Sequence, residues 1–149
     1  MTLINTIQQS CLRYLALREH SQQELLQKLL TKGFSQEDSL PVLNNLARQD
    51  WQSDLRYAQS YARYRLNKGY GAVFIRYQLQ QKGVDSEIIN SVLATVSDDW
   101  FSVLQQVYEK KYGDNSQLTR KDWAKRSRFL MQRGFESELI KRLFNRLIK

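Results

Sequence analysis

The chain has 149 residues, 42% of them hydrophobic and 11% aromatic, which excludes a disordered polymer, since such a chain has no core in which to place its rings. Lys and Arg outnumber Asp and Glu by 23 to 15, a net charge of +8, and the single Cys excludes a disulfide within the chain. No apolar run approaches the roughly 20 residues that span a bilayer, and MTLINTIQQS at the start lacks the pattern of a secretion leader, so a cytoplasmic location is expected.

Apolar spacing predicts helices throughout and no sheet. The first runs from Ile4 to Glu19, with Ile4, Ile7, Cys11, Leu12 and Leu15 on one face. Ser21 and Glu24 form an S-x-x-E capping box that opens the second. The third, carrying Leu40, Val42, Leu43 and Leu46, is expected to start near Ser39 so that Pro41 falls in its first turn, where a missing N–H costs nothing. Asp54 to Lys68 is the fourth, with Leu55, Ala58, Ala62 and Leu66 inward and Tyr57, Tyr61, Tyr64 and Lys68 opposite. A turn at Gly69-Tyr70-Gly71 leads into the fifth. Asp85 caps the sixth, which buries Ile88, Ile89, Val92, Leu93 and Val96. Asp98 to Tyr112 is the seventh, facing inward with Trp100, Leu104 and Val107. The eighth ends at Arg133-Gly134, and Leu139, Ile140, Leu143, Phe144 and Leu147 mark the ninth.

Three stretches repeat: LLTKGF at Leu29–Phe34, LQQKGV at Leu79–Val84 and LMQRGF at Leu130–Phe135, their glycines 50 and 51 residues apart. In each a cation precedes a glycine suited to the left-handed residue that ends a helix. Such a period indicates stacked helical units. The expected fold is all-α, three tandem three-helix repeats (1–50, 51–97 and 98–149) forming an elongated, curved right-handed array.

The charge is blocked. Residues 1–50 carry five basic and five acidic residues; 55–84 carry six basic and no acidic; 85–119 carry two and six; 120–149 carry ten and three. The two basic blocks suit an anionic partner, or serve solubility alone. They supply the candidate binding residues: Arg56, Arg63, Arg65, Lys68, Arg76 and Lys82 in the middle block, Lys125, Arg126, Arg128 and Arg133 in the last. Five of eight tyrosines also fall between Asp54 and Val84. Tyr57 and Tyr61 there fit either core packing or a stacking surface for nucleic acid.

Catalytic chemistry has no foothold. His20 is the one histidine, expected at a helix corner, and Cys11 is expected in the core. No phosphate loop is present, and Cys, His and acidic residues nowhere have zinc spacing. Asp98-Asp99 suits a helix N-terminus rather than a carboxylate pair, because neighbours on a helix point about 100° apart. No enzyme activity, cofactor or metal is expected.

The middle segment resembles the signature of RecX regulatory proteins: Asp54, Tyr57-Ala58, Arg65, Lys68-Gly69-Tyr70-Gly71, Ile75, Leu79 and Lys82-Gly83-Val84. Leu15–Ser21 with Glu24-Leu25 and Lys28-Leu29 is similar to that family's opening motif, and Phe129-Leu130 with Arg133-Gly134-Phe135 to its last repeat. The sequence departs at Ala72, where the family often has proline, and at Pro41. The resemblance implies three three-helix repeats. It further implies a protein that binds the RecA recombinase filament on DNA and lowers its ATPase, strand-exchange and coprotease activities. Single-stranded DNA, with double-stranded DNA as a further partner, no membrane and a monomeric state complete that expectation. A helical DNA-binding protein without a dedicated protein partner is the alternative.

Overall fold

The computed structural model describes residues 2–113 and 118–147, and among these there are nine α-helices and no strand. They are α1 (Leu3–Leu17), α2 (Gln22–Thr31), α3 (Gln36–Arg48), α4 (Asp54–Asn67), α5 (Ala72–Gln81), α6 (Ser86–Val96), α7 (Trp100–Tyr112), α8 (Arg120–Gln132) and α9 (Ser137–Leu147). The boundaries follow local chemistry. Ser21 accepts from the Glu24 N–H while the Glu24 carboxylate accepts from the Ser21 N–H, the reciprocal box expected from sequence. Thr119 and Asp122 form a second box at α8, and Asp99 caps α7 by accepting from the Ser102 N–H.

The helices group into two compact units that cut across the sequence repeats. Residues 1–61 with 79–92 form one, and residues 62–78 with 93–149 form the other. In the first unit α1, α2 and α3 pack around Ile7, Cys11, Leu25, Leu29, Val42, Leu43 and Leu46. In the second, α9 packs on α7 and α8 around Phe101, Leu104, Tyr108, Leu130, Phe135, Ile140, Leu143 and Phe144.

Several expected faces are rotated or shifted. Ile4 is 61% exposed, and the buried line of α1 begins at Ile7; periodicity cannot say where along a helix its cover begins. On α4 Leu55 is 42% exposed while Tyr57, Ala58 and Ala62 are buried. The inward stripe is centred on the alanines, whose small side chains leave room for Tyr57 beside them, and Tyr57 is a core residue rather than a stacking plane. On α7 Phe101 and Tyr108 are buried where Trp100 and Val107 were expected. Leu104 is buried as expected, and on either side of it the stripe shifts by one residue, so that the rings of Phe101 and Tyr108 fill the core.

α3 begins at Gln36, not near Ser39, because Ser35 accepts from the Asp38 N–H and Glu37 and Asp38 meet the positive end of the dipole. Pro41 therefore lies inside the helix, in its second turn. Both Pro41 and Glu37, whose carbonyl it leaves without a helical donor, are exposed residues. Ser39 also falls within α3, fully buried and with an unsatisfied hydroxyl. Counted from the repeat glycines, it occupies the register of Ile89 and Ile140, both buried. Ser39→Ala removes an unpaired hydroxyl and improves helix propensity, so it is expected to raise unfolding stability by about 1 kcal/mol, read as a higher urea midpoint.

Candidate functional site

The two units differ in charge. The first holds 7 basic and 8 acidic residues, net −1; the second holds 16 and 7, net +9. In the first unit Arg18, Arg56 and Lys82 are tied to carboxylates, while Lys28 and Lys32 lie over the Tyr14 ring. Arg18 reaches Glu24 at 3.0 Å, and Lys82 reaches the same carboxylate at 3.7 Å. Arg56 bridges Glu19 at 3.2 Å and Asp50 at 3.0 Å, and its Nη2 donates to the Asp50 carbonyl at 2.8 Å. Arg56 and Lys82, both candidate binding residues, thus have structural work in this unit.

The second unit sets cations on aromatic rings. Arg65 lies over Tyr64, Tyr70 and Phe74, with Tyr70 and Phe74 stacked at 4.3 Å. Arg133 lies 4.7 Å from the Tyr70 ring and 5.3 Å from Phe129, and donates to the Lys68 carbonyl at 3.1 Å. Lys111 sits 4.4 Å over Phe129, and Arg126 sits 4.3 Å over Tyr112. The end of α4, one face of α7 and the end of α8 border a cleft of about 580 Å³. Half-buried Leu66, Val103 and Val107 line it, and exposed Lys68, Lys110 and Lys111 stand at its edge.

Of the remaining candidates, Arg63 on α4 and Lys125 and Arg128 on α8 are exposed. Arg76 on α5 is half-buried and engaged within the fold. Arg126 is half-buried and donates to the Tyr108 hydroxyl at 2.7 Å. In the repeat register it stands where Leu25 and Ile75 fill the core, so its first role is to complete the packing of α8. The sequence reading missed Lys110 and Lys111 because they fall within a net-acidic block, where block counting hides them. In the second unit Tyr64 and Tyr77 are exposed, Tyr64 carrying Arg65 at 5.4 Å and Lys68 at 5.7 Å.

His20 is buried at the corner between α1 and α2, with Nδ1 3.0 Å from the Arg18 carbonyl and Nε2 3.1 Å from Lys28 Nζ. An ammonium only donates, so this network assigns Nε2 as acceptor and places the proton on Nδ1. Burial lowers the His20 pKa below its ordinary 6.5, outweighing the Arg18 carbonyl, and the charges of Arg18 and Lys28 add to the lowering. Fewer protons then bind the folded state, so the contribution is complete above 6.5 and is lost as pH falls through the lowered folded value. The urea midpoint is expected to drop as pH falls below the ordinary 6.5, and to drop less in His20→Gln. Burial pushes the Cys11 thiol up to about 11, Lys32 opposing it, so it is no nucleophile at neutral pH.

Among the described residues no three His, Cys, Asp or Glu side chains are placed to hold a metal, and no helix is long and apolar enough to cross a membrane.

Comparison with known proteins matches the whole run of helices. Family models for the RecX first, second and third three-helix domains match residues 9–46, 53–93 and 97–144. The regulatory protein RecX of Legionella pneumophila (strain Corby) is 38% identical over 91% of this chain and 90% of its own length. The regulatory protein RecX of Pseudomonas entomophila (strain L48) is 36% identical over 93% of this chain and 90% of its own. The crystal structure of RecX from Lactobacillus salivarius superposes with a TM-score of 0.77 at 23% identity, over 97% of this chain and 96% of that one.

Proposed function

The chain belongs to the RecX family of regulatory proteins, and from that premise we propose that it binds RecA filaments on DNA and restrains the recombinase. The observation that carries this reading is the placement of the net charge: the second unit holds +9 while the first holds −1. A filament on DNA is a polyanion, and each phosphate neutralised releases counterions. Arg63, Arg65, Lys125 and Arg128 are the residues assigned to that contact, with Tyr77 offering an exposed ring to unpaired bases. Arg76 and Arg133 support them from within the fold. The protein acts without a cofactor, by occupying its partner rather than by chemistry.

The test is a RecA ATPase time course on single-stranded DNA, with this protein added after the filament has assembled. The rate is expected to fall on addition. The affinity for filaments is expected to weaken at least about tenfold between about 50 and 200 mM salt. An unchanged ATPase rate, with equal binding to naked and RecA-coated DNA, would instead identify a general DNA-binding protein.

A further inference from the structure

We propose that the cleft between α4, α7 and α8 receives an acidic peptide segment carrying one apolar side chain, rather than nucleic acid. Leu66, Val103 and Val107 give it an aliphatic strip, Asn67 and Gln106 add polar side chains beside that strip, and its edge is cationic, from Lys68, Lys110 and Lys111. An apolar anchor would cover the lining, and carboxylates flanking it would meet the lysines.

Base stacking needs a bare ring face, and the cleft offers none. Phe129, the one ring in its wall, carries Lys111 at 4.4 Å and Arg133 at 5.3 Å. Small-molecule sites fix their ligands with convergent buried polar groups; here Asn67, Gln106, Lys68, Lys110 and Lys111 are all exposed, which suits flanking carboxylates of variable position. Arg133 also sharpens the charge, since its donation to the Lys68 carbonyl neutralises an outward-facing acceptor at the end of α4. The partner is therefore a protein at this position, while phosphates are met elsewhere on the unit.

This assignment rests on reading the second unit's basic face as the working surface, and the experiment separates the two. Fluorescence anisotropy is measured with a labelled peptide of Asp and Ser around a central Phe, with the same peptide carrying Ser for Phe, and with oligo-dT as competitor. The Phe peptide is expected to bind at least about tenfold more tightly than the Ser peptide, from burial of the ring. The double variant Lys68→Glu, Lys110→Glu, both exposed, is expected to weaken it at least about tenfold, and oligo-dT is expected to compete poorly. Equal binding of the two peptides, indifference to charge reversal, or displacement by oligo-dT at lower concentration than by unlabelled peptide would each overturn the assignment. Peptide binding with no effect on RecA ATPase would leave the assignment standing and remove the proposed function instead.

Discussion

Replacing Gly134 with alanine is expected to cost the fold about 3–5 kcal/mol, read as a large fall in the urea midpoint. Gly134 has φ +89°, where an added Cβ alone costs about 1–2 kcal/mol. That Cβ would also overlap the backbone nitrogen and the Cβ of Phe74. Neither can yield, because the start of α5 is clasped to this turn. The Gly71 N–H donates to the Arg133 carbonyl at 2.7 Å, and the Val73 N–H donates to the Gly134 carbonyl at 2.8 Å. The free donors at the N-terminus of α5 thus take the free acceptors beyond α8. Gly33 is the internal control: its φ is +101° and nothing lies within 4 Å of an added Cβ. Gly33→Ala is expected to cost only the backbone term, about 1–2 kcal/mol. Equal losses at the two glycines would show that the clasp contributes nothing.

Asp54→Ala is expected to cost about 2–4 kcal/mol, and Asp54→Asn clearly less. One carboxylate oxygen, Oδ1, accepts from the Gln22 N–H at 2.9 Å and from Gln52 Nε2 at 2.9 Å. Gln22 is the first residue of α2, so its N–H has no partner within its own helix. Gln52 is itself buried and gives its Nε2 to the His20 carbonyl as well, at 3.2 Å. Removing the carboxylate leaves an orphan helix N–H and loosens a buried amide. Asparagine keeps an acceptor oxygen but loses the charge. The acid of the family-like motif at Asp54 thus earns a structural explanation, as the pin between the starts of α2 and α4.

Local chemistry made much of this legible from sequence. The glycine period set the helix count, and Ser21 with Glu24 marked a boundary to the residue. What stayed hidden depends on distance or on ambiguous side chains. Arg56 looked available because Glu19 is 37 residues away, and no pattern reveals such a partner. Tyrosine counts equally well as core or surface, so Ala58, Ala62 and Leu104 were placed inward correctly while the buried Tyr57 and Tyr108 were not. The division into two units that split the middle repeat has no sequence marker. Arg126 could have been found: aligned by glycine register it falls on a core position, a sign that its charge would be occupied by Tyr108 and Tyr112.

The most direct measurement is the RecA ATPase rate on single-stranded DNA in the presence of the triple variant Arg63→Glu, Lys125→Glu, Arg128→Glu, beside a control, Arg13→Glu with Arg48→Glu, on the exposed surface of the first unit. Inhibition is expected to be lost in the triple variant and kept in the control, with helicity the same in both. Full inhibition by the triple variant, or loss only in the control, would contradict the claim that the second unit's basic face does the binding.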